Sequence, residues 1–241
     1  MPLVAGLRDG PQRGLLDLRF EIPSVCAALL QSGEVDIGLV PAIELERQPL
    51  HIITGQGIAS RGAVASILLI SKVPLSQVRT LAADSSSRTS IVLAQIWLQA
   101  QFGVKPVVIS AAPDLPAMLA QADACMVIGD PALQVDVSTA PGAIFDLGAE
   151  WTELTGLPFV YAVWAARTDF DSAYAEGVLE ASWQFGKSRI RQIALSEASR
   201  HGVDQELAVR YLSRNIQFEI DEDCMKGLSR FRSLGRSMGL V

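Results

Sequence analysis

Short apolar segments that alternate with helical segments restrict the fold of this chain more than any other feature. Residues 35–40 have the nearly unbroken apolar composition of a parallel strand that is buried on both faces, and residues 124–128 are also predicted to form a strand. Residues 23–30 and 91–100 have the composition of helices that follow such strands. Because this alternation continues to about residue 169 and helical sequence follows it, we predict an α/β fold with a helical C-terminus.

Two further predictions concern the first third of the chain. Residues 16–22 alternate between apolar and polar side chains and are predicted to form a strand. Residues 50–53 and 63–70 are predicted as two more strands, separated by a glycine-rich loop over residues 54–62.

Composition limits the class of protein. With 241 residues, of which 49% are hydrophobic and 19% charged, the chain can bury a substantial core. The formal net charge is −6, the isoelectric point is about 5.0, and Lys and Arg form no block, which argues against a nucleic-acid-binding protein. No segment resembles a signal peptide or reaches the length of a transmembrane helix, so we expect no membrane association.

Cysteine and histidine are too few and too scattered to indicate a metal site. Cys26, Cys125 and Cys224 lie far apart and form no CxxC pair, which predicts reduced thiols in a cytoplasmic protein. His51 and His201 are also far apart, so a histidine-based metal site is not expected.

The richest cluster of polar side chains is the sequence Asp84-Ser85-Ser86-Ser87-Arg88-Thr89-Ser90. It follows a predicted strand at residues 78–83 and precedes the predicted helix at 91–100. Unpaired N–H groups and the positive end of the helix dipole meet at such a junction, and hydroxyl and guanidinium groups there can hold a carboxylate or phosphate. The alternative is that Asp84 or one serine merely caps the helix.

Ligands of parallel α/β sheets bind beyond the carboxyl ends of strands, and four predicted ends carry polar or turn residues. From them we predict substrate-binding roles for Ser24, Pro41, Ser85, Ser86, Arg88, Thr89, Gly129 and Asp130. Helix capping is the alternative at Ser24 and at Asp130, which precedes Pro131. Glu44 and Glu46 are expected to be solvated. No GxSxG, Walker A, GxGxxG or paired-carboxylate motif occurs, so the catalytic residues are unknown.

Four segments, in order along the chain, closely resemble segments of the chorismate dehydratase family, which opens the futalosine route of menaquinone biosynthesis. They are residues 34–41, 84–90, 128–133 and 150–164, the last of which contains TGLPFVYAVW. Each is a weak motif alone, but the ordered set is specific and covers essentially the whole chain. The resemblance implies the two-lobed fold of type 2 periplasmic binding proteins, used inside the cell as an enzyme.

The resemblance also implies a hydro-lyase, that is, a carbon–oxygen lyase, that converts chorismate to 3-[(1-carboxyvinyl)oxy]benzoate with no metal or organic cofactor. The partner is then a small-molecule dicarboxylate substrate. The serine-rich junction is expected to hold one carboxylate, and Ser24 to help with the second. We expect lobe one to comprise residues 1–75 plus 167–241 and an inserted lobe two to comprise 76–166, with the ligand cleft between them. The oligomeric state is left open.

The resemblance is incomplete at the start of the chain. The family begins with a strand and an asparagine-bearing turn that reaches the substrate, and the matching position falls just before Met1. Residues 1–7 instead have the features of a helix, with Pro2 in its first turn. We therefore expect the first strand of lobe one to be missing here, and the native protein to extend upstream by about ten residues, the length of a strand and its turn.

Two alternatives share this fold. One is a solute-binding protein for small anions, against which the lack of a signal peptide and of a lipid-anchor cysteine argues. The other is the sister enzyme of the same pathway, which acts on a later intermediate. Incubation with chorismate separates the three, since only the dehydratase forms an aromatic product from it.

Overall fold

The computed structural model describes residues 1–84 and 87–241, apart from the side chain of Thr54. Within these residues the α-helices are α1 (Ala5–Asp9), α2 (Pro23–Ser32), α3 (Arg88–Phe102), α4 (Leu115–Gln121), α5 (Asp130–Leu133), α6 (Leu147–Thr155), α7 (Ala173–Lys187), α8 (Ile190–His201), α9 (Gln205–Arg210) and α10 (Glu222–Ser237). The strands are β1 (Ile37–Pro41), β2 (Leu50–Ser60), β3 (Ile67–Ser71), β4 (Thr80–Ala83), β5 (Val107–Ser110), β6 (Ala124–Ile128), β7 (Ala143–Asp146), β8 (Phe159–Arg167) and β9 (Gln217–Glu219). Short 3₁₀ helices cover Pro2–Val4, Ala42–Glu46 and Leu75–Gln77, and a π-helix covers Tyr211–Asn215.

The chain divides into two compact units, each with a sheet of its own. The first unit comprises Met1–Ala59 and Val160–Met225, and the second comprises Ser60–Phe159 and Lys226–Val241. The lobes expected from the sequence, 1–75 plus 167–241 and 76–166, stay a prediction, and the compact units begin and end at other positions.

The sheet of the first unit has the strand order β1-β8-β2-β9. β1 pairs antiparallel with β8, from Ile37 opposite Ala166 to Pro41 opposite Ala162, and β2 pairs antiparallel with β9. Apolar side chains from the start of the chain, the sheet and α7 form a core, namely Val4, Leu7, Ile53, Trp164, Ala166, Val178 and Leu179. The helices are thereby held to the sheet by burial of their apolar sides.

The sheet of the second unit has the order β5-β4-β6-β3-β7. β4 is parallel to β5 and to β6, whereas β3 is antiparallel to both of its neighbours, β6 and β7. β4, β5, β6 and β7 therefore run in one direction, and their carboxyl ends lie at the same edge of the sheet. We refer to this edge as the carboxyl edge.

The α/β class and the helical C-terminus predicted from the sequence are confirmed.

The strand predicted over residues 16–22 is wrong. Residues 17–22 have no regular secondary structure, and Phe20 and Ile22 are 60% and 56% exposed. The alternating pattern supplies one apolar face, but a strand also needs a neighbouring strand to bond with its N–H and C=O groups, and no described strand pairs with these residues.

The glycine-rich loop predicted over residues 54–62 is also largely wrong, since β2 continues to Ser60. A Cβ atom on Gly57 would lie only 2.5 Å from the carbonyl oxygen of Ala162 in β8. Glycine at this position thus permits two backbones to approach closely within the sheet, rather than forming a turn.

No helix in the described part of the chain is both long enough and apolar enough to span a lipid bilayer.

Candidate functional site

The serine-rich segment lies at the carboxyl edge of the second unit. β4 ends at Ala83 and α3 begins at Arg88, so the segment joins a strand to a helix as the sequence predicts. Ser87 occupies the N-cap position, yet its side chain makes no capping hydrogen bond. The capping alternative therefore does not explain the hydroxyl group of Ser87.

The structure describes Arg88 and Thr89 of the four binding residues predicted in this segment. Ser85 and Ser86 lie outside the described residues. Arg88 is the first residue of α3 and is half-buried, whereas Thr89 is only 4% exposed. Ser87 and Ser90, on either side, are also buried. This start of a helix thus gathers buried hydroxyl groups, which are normally hydrogen-bonded.

The Gly129 turn lies at the end of β6, where the sequence predicts it. Gly129 has a φ of 63°, in the left-handed region that favours glycine, and it is the N-cap residue of α5. Asp130 is the first residue of that helix and is half-buried, so it is not the cap that the alternative requires. The backbone N–H of Gly129 donates a hydrogen bond of 2.8 Å to the carbonyl of Ser66.

These two segments follow neighbouring strands. β4 and β6 are adjacent and parallel, with Ala83 opposite Met126, and adjacent strands lie about 4.8 Å apart. Arg88 and Thr89 on one side and Gly129 and Asp130 on the other are therefore brought to the same edge of one sheet. This edge is where ligands of parallel α/β sheets bind.

Ser24 and Pro41 belong to the first unit. Ser24 is the second residue of α2 and is half-buried, and because Ile22 is the N-cap residue, Ser24 is not the helix cap. Pro41 is buried at the end of β1. Only residues 33–36 connect α2 to β1, so the chain doubles back and the start of α2 lies at the same end as Pro41.

Glu44 is a buried acidic residue that sequence reasoning placed in solvent. It is 1% exposed, and its carboxylate accepts a hydrogen bond of 3.0 Å from Nε2 of Gln48 and lies 3.4 Å from the guanidinium of Arg47. Donors three and four residues later on the chain offset the loss of hydration. That spacing is visible in the sequence, but it also occurs on exposed helices and therefore does not signal the burial of Glu44.

Asp146 is a second polar residue that sequence reasoning missed. It ends β7 at the carboxyl edge and accepts hydrogen bonds from four backbone N–H groups, those of Val64, Ala65, Gly148 and Ala149. An aspartate just before a helix is a recognisable N-cap signal. Its bonds to Val64 and Ala65, more than 80 residues earlier, carry no such signal.

No group of three or more His, Cys, Asp or Glu side chains that could hold a metal occurs in residues 1–84 and 87–241. Cys125 lies within β6, and its burial raises the pKa of the thiol to about 12, so this thiol stays protonated and is a poor nucleophile.

Comparison with known proteins identifies the family. A family model described as menaquinone biosynthesis matches residues 1–237. The chain belongs to this menaquinone biosynthesis family. A chorismate dehydratase from Thermus thermophilus is 31% identical over 229 residues, which cover 87% of this chain and 83% of that protein. The resemblance predicted from four ordered segments is thus confirmed.

Solved structures match this member of the menaquinone biosynthesis family in fold. A protein from Archaeoglobus fulgidus superimposes with a TM-score of 0.73 at 19% identity, covering 100% of this chain and 95% of its own. The periplasmic aliphatic sulphonate binding protein from Escherichia coli gives a TM-score of 0.60 at 16% identity, covering 91% and 75%. Such identities concern the fold alone, and they confirm the predicted binding-protein-like fold.

Proposed function

We propose that this chain is a chorismate dehydratase, which removes water from chorismate to give 3-[(1-carboxyvinyl)oxy]benzoate in the futalosine route of menaquinone biosynthesis. The observation that carries the proposal is the 31% identity, over 87% of the chain, to a chorismate dehydratase. The match to the menaquinone biosynthesis family over residues 1–237 agrees with it.

The carboxyl edge of the second unit supports an anionic substrate. Chorismate is a dicarboxylate, and the protein carries a net charge of −6, so binding depends on local donors rather than on overall charge. The start of α3, a helix of 15 residues, presents the positive end of a helix dipole, which favours an anion. In this proposal Ser85, Ser86, Arg88 and Thr89 hold one carboxylate, with Gly129 and Asp130 beside them. Ser24 and Pro41, which belong to the first unit, keep their predicted substrate-binding roles in the proposal.

The proposed reaction needs orientation more than a strong base. A ring C–H bond and the ring C–O bond to the hydroxyl group break, the proton and the hydroxyl leave as water, and the ring becomes aromatic. Because aromatisation makes the elimination strongly favourable, holding the substrate and stabilising its charge provide the catalysis. In our proposal the side-chain carboxylate of chorismate itself accepts the ring proton and passes it to the departing hydroxyl group, and the protein's role is to hold that carboxylate close to the proton.

We infer a cytoplasmic location. Cys26, Cys125 and Cys224 are all free thiols, which agrees with a reducing compartment. The proposed substrate is a small metabolite, and we propose that the protein acts on it without a metal or organic cofactor.

The experiment is incubation of the full chain with chorismate, with the product identified by mass spectrometry and proton NMR. We expect one aromatic product that has lost one water. Binding of chorismate without turnover, seen as a thermal shift alone, would instead favour a solute-binding protein. Turnover of the later pathway intermediate, with none of chorismate, would favour the sister enzyme.

Variants of the serine-rich segment test the carboxylate-binding role. Ser86→Ala and Thr89→Ala each remove one hydroxyl group, and we expect each to lower kcat/KM for chorismate by the equivalent of about 1.5–3 kcal/mol, the contribution of a hydrogen bond to a charged group. Ser138→Ala is the control, since the hydroxyl of Ser138 only donates to Asp136 on the surface of the same unit. Unchanged kinetics for both Ser86→Ala and Thr89→Ala would contradict the proposed site.

A further inference from the structure

Asp146 connects three parts of the second unit. Its Oδ1 atom accepts hydrogen bonds from the backbone N–H groups of Gly148 at 2.9 Å and Ala149 at 3.1 Å, which cap α6. The same atom accepts a bond of 3.0 Å from the N–H of Val64, and Oδ2 accepts one of 2.6 Å from the N–H of Ala65. One carboxylate therefore caps a helix and binds a distant turn.

The turn that Asp146 binds is strained. Ala65 has a φ of 64° and is the one non-glycine residue of the described chain with positive φ. The left-handed conformation brings Cβ close to the following carbonyl oxygen, so an alanine occupies it only where surrounding contacts enforce it. The two N–H bonds to the Asp146 carboxylate are such contacts, and the N–H of neighbouring Gly62 is held by Oγ1 of Thr152 at 2.8 Å.

The strained turn leads directly to the predicted substrate site. β3 begins two residues after Ala65, and Ile67 pairs with Ile128 at the end of β6. One step further along this ladder, the carbonyl of Ser66 accepts the N–H of Gly129 at 2.8 Å. The conformation of Ala65 thus sets the position of the Ser66 carbonyl, which in turn fixes the backbone of Gly129.

We propose that Asp146 is a positioning residue for the substrate site, and that it acts by holding Ala65 in the left-handed conformation so that Ser66 fixes the Gly129 turn. The inference rests on the proposed chorismate dehydratase function, in which Gly129 and Asp130 lie against the substrate. Asp146 itself touches neither the substrate nor the reacting atoms in this proposal.

The variant Asp146→Asn separates this role from helix capping. An amide oxygen in the place of Oδ1 still accepts the N–H groups of Val64, Gly148 and Ala149, so the cap of α6 is retained. The amide NH2 group in the place of Oδ2 faces the N–H of Ala65 and cannot accept its hydrogen bond. The matched control is Asp114→Asn, because Asp114 caps α4 by accepting the N–H of Ala117 at 2.9 Å.

Hydrogen exchange gives a readout that does not depend on activity. We expect Asp146→Asn to speed the exchange of the Ala65 and Gly129 amides about tenfold, the effect of losing one charge-assisted hydrogen bond. Asp114→Asn should leave both rates unchanged. If the Gly129 amide exchanges at the wild-type rate in Asp146→Asn, the positioning role is refuted, whatever the enzyme does with chorismate.

Kinetics then link the turn to the substrate site. We expect Asp146→Asn to raise KM for chorismate about tenfold while kcat changes less, since a misplaced turn weakens binding in the ground and transition states alike. Adding Ala65→Gly should restore much of the affinity, because glycine adopts the left-handed conformation without strain.

The outcomes distinguish the two proposals. A wild-type protein that does not turn over chorismate refutes the proposed function, while the exchange rate of Gly129 still decides the effect of Asp146 on the turn. Faster exchange at Gly129 with unchanged KM, or a failure of Ala65→Gly to restore affinity, shows that Asp146 stabilises the fold without positioning the substrate site.

Discussion

The central strands of the second sheet and the edge strand β1 of the first sheet differ in how completely they are paired and buried. In the second unit, β4, β6 and β3 lie inside a five-stranded sheet, and all five residues of β3 are buried. In the first unit, β1 lies at the edge of a four-stranded sheet and is only partly buried. Beside it runs the irregular segment 17–22, with exposed Phe20 and Ile22.

A groove lies next to β1, at one edge of the sheet of the first unit. It has a volume of about 440 Å³ and is lined by residues of the segment 17–22, by β1, and by apolar side chains that include Val4, Leu7 and Trp164. Residues 17–22 have the apolar alternation of a strand but pair with no strand in the part of the chain that the structure describes. The comparison of the paired strand β3 with residues 17–22 indicates that alternation supplies the apolar face of a strand, whereas the strand itself forms where a neighbour satisfies its backbone.

The largest expected difference between the two regions is in the cost of removing an aromatic side chain. Trp151 is fully buried in the second unit, with its ring 5.1 Å from Phe159 and 6.3 Å from Phe231, and its indole N–H donates to the carbonyl of Pro158 at 3.1 Å. We expect Trp151→Ala to lower the free energy of unfolding by about 3–5 kcal/mol. Urea denaturation followed by circular dichroism measures this loss.

The matched change in the first unit is Phe20→Ala. Phe20 is 60% exposed in the irregular segment, so we expect its removal to change the free energy of unfolding by no more than about 0.5 kcal/mol. Similar losses for the two variants would mean that the segment 17–22 is as well packed in solution as the aromatic cluster of the second unit, and the contrast between the regions would fail.

The same contrast explains how much of the fold the sequence predicts. The sequence places β4, α3 and β6 correctly because these segments are continuous apolar stretches that end at recognisable turn residues, such as Gly129. The predictions of a strand at residues 16–22 and of a loop at Gly57 are wrong, because the secondary structure at both places depends on which backbone lies alongside. A sequence pattern reports which side of a segment is apolar and carries little information on distant neighbours.

The candidate site likewise combines local features, which the sequence predicts, with non-local ones, which it does not. The junction of β4 and α3 and the turn at Gly129 are local features, and composition alone indicates both. That they follow adjacent strands is a matter of strand order, which the sequence does not contain in readable form. The bonds from Asp146 to Val64 and Ala65 are likewise non-local, so these bonds, unlike its helix cap, could be found only in the structure.

A strand added at the edge of β1 should reduce the difference between the sheets. Extending the chain ahead of Met1, which lines the groove, by about ten alternating apolar and polar residues provides one strand and a turn. We expect the free energy of unfolding to rise by about 2 kcal/mol, the gain from burying one large apolar side chain. Amides of β1 should also exchange more slowly, as shown by hydrogen exchange with mass spectrometry.

The control for the added strand is an extension of equal length made of glycine and serine. It has no apolar face to bury and little tendency to form a strand, so it should leave stability and exchange unchanged. Equal stability for the two extensions would show that the groove does not accept a strand, and that β1 is stable as an edge.

The smallest expected difference lies in the response of the two regions to acid. In the second unit, the carboxylate of Asp123 accepts the backbone N–H groups of Arg79 and Thr80 and the hydroxyl of Thr80, each at 2.9 Å, and thereby connects the starts of β4 and β6. These bonds, that of the Arg79 N–H first, hold the pKa of Asp123 below its ordinary value. In the first unit, the pKa of Glu219 is lowered chiefly by its hydrogen bond with Lys187, in an exposed ion pair.

Both pKa values are lower in the folded state, so each carboxylate stabilises the protein above its ordinary pKa of about 4, and that stabilisation is lost as the pH falls through the folded value. We expect Asp123→Asn to cost about 1 kcal/mol at pH 7, reduced from the usual 1.5–3 kcal/mol for charged hydrogen bonds because Asp123 is partly exposed to solvent. Glu219→Gln should cost less, since exposed ion pairs contribute about 0–1 kcal/mol and are screened by salt.

Urea unfolding of both variants from pH 7 to pH 3 measures the two losses. The stability of Asp123→Asn should then depend less on pH than that of Glu219→Gln, because backbone N–H donors fixed at the start of β4 hold a carboxylate more firmly than a mobile lysine does. A larger loss for Glu219→Gln would reverse the ranking of the two regions.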